Sequence, residues 1–477
     1  MGMEPAINWF RRDLRLIDNR AAARAGQGGR PVIGLFVLDP AILGNLRTGP
    51  SRVAHLLGAL AALDASIRRL GSNLVVRSGN PLEVVPAVAE EVGASLVTAV
   101  RSFEPYSRAR DDALSQRLQA DGRELWLSAE QLLLDPLHLP PLRTFSACRR
   151  RFQSALAEGI PGPTRPPTFL PVAALPSTEP LTAQGRGPSP APEGSSPPGE
   201  QAAGRRLAAF ISSRLERYAA TRDDIAGDGT SNLSTDLHFG SLSVRTAIRA
   251  ALEAARDAPE LVGGADRWLE QLAWRDFFGG ALWHFAKLTT QEHRAEFRHL
   301  EWRGSEYALE AWRQGATGYP IVDAAMRQLR ADHLIHNRCR MIVASFLVKD
   351  LHLDWRHGEA HFARELLDAD LANNNGGWQC IAGTGLDAQP YFRILNPTVQ
   401  GERYDPKGAY VRWWLPELRY LPDRYVHRPW DAPSPPRGYP RRIVDHAAER
   451  LVALELYRAC SSQRSDSSSR PLEATPG

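Results

Sequence analysis

Cysteine is scarce in this chain. Its 477 residues hold four, Cys148, Cys339, Cys380 and Cys460, and no two stand in a CxxC spacing. That excludes a disulfide framework and a zinc site of the usual spacing, and it suits a reducing, cytoplasmic setting without a bound metal. No apolar run is long enough to span a bilayer, which excludes a membrane helix. The first residues lack the charged, apolar and small-residue layout of a signal peptide and run straight into a strand-like segment. No GxGxxG follows that segment, which argues against dinucleotide binding by the usual fingerprint. A strong charge of either sign is also missing. The formal charge of +4 permits nucleic-acid binding only if the basic groups, rich in arginine and poor in lysine, cluster on one face.

What remains is an ordinary globular composition, 43% hydrophobic and 23% charged, on a chain too long for one core. Over the first 130 residues short apolar runs alternate with amphipathic segments. Ala6–Phe10, Pro31–Leu38, Leu74–Arg77, Ser95–Val100 and Leu125–Leu127 read as buried strands. Between them Val53, Leu56, Leu57, Leu60, Leu63 and Ile67 mark one helix face over Ser51–Leu70, and Pro81–Val92 and Tyr106–Leu118 are also helical. This alternation predicts a Rossmann-like α/β domain over 1–135, with a parallel sheet. About a third of the 36 prolines fall between Ile160 and Gly204, so 136–204 is expected to be an interdomain linker. From Arg205 the pattern is helical. Leu207, Phe210, Ile211, Leu215 and Tyr218 share a face, and periodic segments follow at 243–256, 265–287, 305–314, 320–332 and 336–350. An all-α domain over 205–460 and a disordered polar tail over 461–477 are expected.

The segment Asp368 to Trp378, Asp-Ala-Asp-Leu-Ala-Asn-Asn-Asn-Gly-Gly-Trp, packs carboxylates, amides and glycines too densely for an ordinary core. Polar groups so crowded are costly to bury unless their hydrogen bonds are met. Ten of the 12 tryptophans lie after residue 260. A large, planar, hydrogen-bonding, redox-active cofactor accounts for both features, while a structural polar turn accounts for the segment alone. Thr230-Ser231-Asn232-Leu233-Ser234 precedes a helical stretch and suits either a bound phosphate or a plain helix cap. Trp268, Gln271, Arg275 and Phe278 form one helical stripe with Trp274 a turn beyond Gln271; polar groups among these rings weaken the packed-core reading. Arg338 and Arg340 open an apolar helix and need acidic partners, for which Asp368 and Asp370 are candidates.

Together these motifs resemble the photolyase/cryptochrome flavoproteins. The likeness begins at Trp9-Phe-Arg-Arg-Asp-Leu-Arg-Leu-Ile-Asp-Asn19. It continues through Gly-Tyr-Pro-Ile-Val-Asp-Ala-Ala-Met-Arg (318–327), His336–Trp355 and Asn374–Pro397, and ends in Trp413-Trp-Leu-Pro-Glu-Leu418. Within the family, Pro390–Gly401 looks most like the bacterial class I cyclobutane-dimer photolyases. The resemblance implies an FAD folded into a U in the helical domain. Tyr218 and Thr230, Ser231, Asn232, Leu233 and Ser234 would take its adenine and diphosphate side, and Trp268 and Arg275 would line the cavity. Arg340 paired with Asp368, together with Asp370, would sit beside the isoalloxazine, and Asn374 near its N5, where a carboxamide favours reduced flavin without supplying a strong acid. Trp378, Trp355 and Trp302 would relay electrons from the surface. A second, antenna chromophore, a folate or a deazaflavin, is implied for the N-terminal domain, with Glu104 near a position used by folate-binding members.

The implied substrate is UV-damaged DNA, its dimer flipped into a pocket beside the flavin and split by an electron from the excited, reduced cofactor. Arg222, Gln271, Trp274, Phe278, Asn337, Arg338, Met341, Cys380 and Gln400 would line that pocket in a monomer. Two of these depart from the pattern. A glutamate is usual at Gln271, and a stacking tryptophan at Cys380. Glutamine offers both donor and acceptor but no charge. Cysteine has no ring face, and a base–aromatic stack is worth roughly 1–3 kcal/mol. The (6-4) reaction is excluded, since its pair of histidines would fall at Asn337 and Met341. A repair enzyme with an altered pocket, and a cryptochrome-like blue-light photoreceptor that has lost repair, both fit the sequence.

Overall fold

Period-two alternation organises the N-terminal sheet. The structure, a computed structural model, describes residues 3–171 and 197–467. Five strands, β1 (Ala6–Phe10), β2 (Val32–Leu38), β3 (Val75–Ser78), β4 (Leu96–Val100) and β5 (Glu124–Ser128), form one sheet in the order β3-β2-β1-β4-β5. All four pairings are parallel, with Ala6 opposite Val32 and also opposite Leu96. Residues of one parity, such as Ala6, Phe10, Phe36 and Leu38, meet Leu60, Leu63 and Ile67 of helix Pro50–Arg68. Those of the other parity, Ile7, Trp9, Leu35 and Val97, meet Val85 and Val88 of Pro81–Glu91 and Leu114 and Leu118 of Pro105–Ala120. Both faces are therefore dry, as a parallel sheet requires. Each of these three helices carries proline in its first turn, where the missing N–H costs nothing.

The chain packs as two units. The first comprises Met1–Arg222, Gly229–Ala286 and Ala363–Asn373; the second comprises Asp223–Asp228, Lys287–Phe362 and Asn374–Gly477. The helical stretch expected as one domain over 205–460 is thus shared between them. Buried ion pairs explain why residues 229–286 join the sheet. Asp18, with φ of 54°, accepts from Ser243 at 2.7 Å, Thr246 at 2.9 Å and Arg249 at 2.9 Å. Arg15 donates to the Gly240 carbonyl at 3.0 Å, and Glu130 accepts from Arg245 at 2.7 Å. The polar residues of the opening motif are structural: Arg11 pairs with Asp111 at 2.6 Å, and Asn19 caps a short helix by accepting from Ala22.

Helix α1 (Phe145–Glu158) lies inside the segment expected as linker, capped by Thr144 and buried through Cys148 and Phe152. Helix Glu200–Ser213 also begins inside it, and residues 172–196 of that segment fall outside the described residues. The helix face expected through Tyr218 breaks after Ser213, because the Arg214 and Leu215 N–H groups both turn back to the Phe210 carbonyl; a short helix, Tyr218–Thr221, follows. Among the described residues, helix α2 (Val262–His284) is the longest of the first unit.

In the second unit, helices Glu306–Gln314 and Pro320–Asp332 precede α3 (Asn337–Ser345), which passes into a π-helical turn at Phe346–Asp350. Helix α4 (Trp355–Glu365) follows. The Asp368–Trp378 segment, for which a structural polar turn is one reading, is mostly helix α5 (Leu371–Ala382). Its start is set by Asp370, whose carboxylate accepts the Asn373 N–H at 3.0 Å, the bond of an N-cap. The tail is also shorter than expected, since α6 (His446–Ser467) runs past residue 461. The residues after 467 lie outside the described part.

One buried acid makes stability depend on pH. Asp276 of α2 is 3% exposed and accepts the Leu134 N–H at 2.7 Å. Burial pushes its carboxyl up to about 7, against the pull of that hydrogen bond and of Arg275. The folded state thus holds this proton to higher pH than the unfolded chain, and the contribution, full below 3.8, is lost as pH rises through 7. Asp276→Asn should flatten the fall of melting temperature between pH 4 and about 7. Parallel pH profiles for variant and wild type would refute the assignment.

Candidate functional site

In the first unit, the residues expected around the adenine and diphosphate form a partly aromatic, partly polar group. Tyr218 is buried and stands edge-on to Phe210 with centroids 5.6 Å apart, and the Arg222 guanidinium lies 5.7 Å from the Tyr218 ring. Trp268 is buried against the same Phe210 at 5.1 Å. The Thr230 hydroxyl donates to Asn232 at 2.9 Å, and Asn232 takes a left-handed φ of 55°. Ser231 is half-buried beside them. The expected helix cap is not a hydroxyl. Leu233 occupies the N-cap of helix Ser234–Phe239, and no side chain caps its first N–H groups. Among the described residues the buried Thr235 hydroxyl has no partner either. Donors left uncapped at a helix start are what an anionic diphosphate takes up, so these residues fit the group.

Asp370 is the electrostatic centre of this unit. Arg12 pairs with it at 2.5 Å, and also bonds Glu104 at 2.9 Å and the His238 carbonyl at 3.0 Å. Burial alone would raise the Asp370 pKa, but Arg12 and Arg275 outweigh it and hold the carboxyl well below the usual range. It stays an anion that both caps α5 and binds arginine. Arg275 does more than line a cavity. Its guanidinium donates to the backbone carbonyls of Gln131 and Leu237. It borders two small neighbouring cavities, both also lined by Arg12 and Gln131. Glu104, which lines one of them, is engaged by Arg12. Asp368 is buried, and its carbonyl accepts the Asp370 N–H at 2.7 Å.

Also in this unit, Gln271 is half-buried and donates weakly to the Arg267 carbonyl at 3.4 Å. Trp274 is half-buried, with Phe278 tilted against it at 5.5 Å and Phe145 lying flat on one face. Phe145 was not foreseen as a site residue. It stands in the expected linker, and no periodicity along α2 announces a ring arriving from elsewhere.

In the second unit, α5 presents its side chains to distinct partners. The Asn374 amide donates to the Glu359 carbonyl at 2.9 Å and to its carboxylate at 3.1 Å. That assigns Nδ2 and leaves the carbonyl oxygen as the group Asn374 offers. Gln379, which sequence reasoning passed over, is buried and donates to the Leu288 carbonyl at 2.9 Å and to Asn375 at 3.1 Å. Among the described residues the buried Nδ2 of Asn375 has no partner. Trp378 is 2% exposed, between Phe362 at 5.1 Å and Trp312 at 6.1 Å. Trp312 went unnoticed in the sequence because it occupies an ordinary core position of helix Glu306–Gln314. Trp355 is fully buried and donates to Glu292 at 3.1 Å. Trp302, half-buried, packs on a small core of Phe297, Leu300 and Tyr457.

The remaining pocket residues of this unit lie at or near its surface. Asn337 is exposed and reaches Met341 Sδ at 3.8 Å. Arg338 pairs with Asp223 at 3.0 Å and lies 4.4 Å above the Tyr404 ring. Arg340 donates to the Ile335 carbonyl at 3.1 Å. Cys380 and Gln400 are half-buried.

A five-stranded parallel sheet followed by helices with an amide-rich centre and buried indoles defines the flavin-binding photolyase architecture. The family model described as DNA photolyase matches residues 6–167, and that of the FAD binding domain of DNA photolyase matches 268–459. The chain belongs to the DNA photolyase family. It is 37% identical to the deoxyribodipyrimidine photo-lyase of Synechococcus sp., covering 98% of this chain and 99% of that one. It is 39% identical to that of Halobacterium salinarum, over 94% and 98%. A bacterial class III photolyase structure from Agrobacterium tumefaciens superposes with a TM-score of 0.90 at 36% identity, covering 97% of this chain and 98% of that one. The likeness therefore reaches beyond class I. A Synechocystis sp. cryptochrome gives 0.86 at 30%, covering 96% and 100%. Among the described residues no helix is long and apolar enough to cross a membrane.

Packing at Trp378 yields a sharp test. A Cβ on Gly358 of α4 would stand 2.0 Å from the indole, which Phe362 and Trp312 prevent from yielding. Alanine gains about 1 kcal/mol of helix propensity, but overpacking costs roughly 1–3 kcal/mol or more. Gly358→Ala should therefore lower the urea midpoint of unfolding. An unchanged or raised midpoint would show that the indole is not held there.

Proposed function

We propose that the chain is a light-dependent DNA repair enzyme that splits cyclobutane pyrimidine dimers. Bound FAD, reduced and excited by blue or near-UV light, would supply the electron for ring opening and take it back. The observation that carries this reading is the joint survival of Trp274, Asn337, Arg338 and Met341 in a chain 37–39% identical to curated photo-lyases. A pure sensor has no use for these side chains.

The chain's own residues would divide the work as follows. Tyr218, Trp268 and the Thr230–Ser234 segment hold the adenine and diphosphate side, with the uncapped helix start toward the phosphates. Arg340 with Asp368, and the permanently ionised Asp370, flank the isoalloxazine, while Arg275 braces the wall through backbone carbonyls. Asn374, its Nδ2 engaged by Glu359, offers a carbonyl oxygen, and an acceptor there favours a protonated flavin nitrogen, as in the reduced form. Trp378, Trp355 and Trp302 carry electrons inward, and their burial supports this, two being sealed from water and Trp302 only half so. Arg222, Gln271, Phe278, Cys380 and Gln400 complete the DNA pocket with the four residues above. A second, light-harvesting chromophore is proposed for the N-terminal domain. A folate, a deazaflavin, or a second FAD like that in the archaeal photolyase from Sulfolobus tokodaii are distinguishable by absorption.

The competing photoreceptor reading draws on Gln271 and Cys380. The decisive experiment illuminates reduced protein with dimer-containing single-stranded DNA and counts dimers. Loss of dimers is expected, and none lost at saturating protein would leave the photoreceptor reading. Cys380→Trp should tighten lesion binding by about one to two orders of magnitude if position 380 faces the lesion. Trp378→Phe should sharply slow photoreduction with an external donor, and an unchanged rate would remove the relay assignment.

A further inference from the structure

Trp274 has one face covered before any DNA arrives. Phe145, the first residue of α1, lies on the indole with ring centroids 3.7 Å apart and planes within 6°. The same phenyl stands edge-on to Phe277 at 6.2 Å, and Phe277 is edge-on to Trp274 at 5.7 Å. Phe145 is thus held from two sides. Its helix is anchored as well. Cys148 Sγ donates to the Ala273 carbonyl at 3.7 Å, Phe152 is 2% exposed, and Arg149 pairs with Glu270 at 3.5 Å. A ring so fixed, on a helix so fixed, is a backing and not a gate.

We propose that Phe145 is a positioning residue for lesion recognition, fixing the plane of the Trp274 indole so that its opposite face stands ready to stack on a flipped pyrimidine. The inference rests on the repair reading above. Its weight comes from Cys380, which supplies no ring, so the stacking that remains falls on one indole. An unsupported indole would lose rotamer freedom on binding, an ordering penalty worth roughly a factor of two to ten in affinity. A backed indole has met that penalty during folding.

The test measures, in the dark, the dissociation constants for dimer-containing and undamaged single-stranded DNA of the full chain loaded with FAD. A wild type with no preference for damaged DNA would sink the repair reading before any variant is made. Given a preference, Phe145→Leu should reduce it about two- to tenfold. Phe145→Tyr, which keeps the ring, should restore it. In a Trp274→Ala background Phe145→Leu should cost nothing further. Should Phe145→Leu lower the melting temperature, Phe145→Met, ringless but close in volume, takes its place. An undiminished preference in a folded ringless variant, or an equal loss without Trp274, would overturn the proposal.

Discussion

A helix containing Asn373, Asn374, Asn375, Gly376 and Gly377 opposes its own formation. The two glycines alone cost about 1 kcal/mol each relative to alanine, and asparagine somewhat less. What holds α5 is therefore a set of partners from elsewhere in the chain. Asp370 caps its start and is itself gripped by Arg12. Glu359 takes the Asn374 amide, and Gln379 fastens the far turn to the Leu288 carbonyl. The site depends on this arrangement, because the same side chains that stabilise the helix aim the groups that would meet a flavin.

Arg12 shows how one residue can serve several levels at once. It leaves the sheet just after β1, bonds Glu104 beside a cavity, and keeps Asp370 ionised. Burying so many charges is tolerable because each is paired; removing one partner would strand another. The opening motif is thus less a chemical signature than a structural clamp. Its Asp18 and Arg15 bring residues 229–286 into the packing of the sheet.

Much of this was legible without coordinates. The five strands were found within one residue or two because apolar runs of four to seven residues between turns have few alternatives. The indoles and the Asp368–Trp378 segment were singled out because dense polar groups in a helical region demand a reason. The α5 helix itself was missed, since its asparagines and glycines disfavour a helix and only distant partners reverse that. Phe145 and Trp312 were missed for a related cause. A stacking ring contributed by another element leaves no periodic trace in its own.

By itself, the sequence determined the kind of layers, the positions of the buried strands and the family to which the chain belongs. These follow from local spacing and from motifs that survive as strings of residues. Tertiary structure alone decided which polar groups were partnered, that Asp370 stays charged, that a glycine at 358 makes room for an indole, and that Phe145 lies on Trp274. Those outcomes depend on groups far apart in sequence meeting within hydrogen-bond or van der Waals distance, and no local pattern encodes such a meeting.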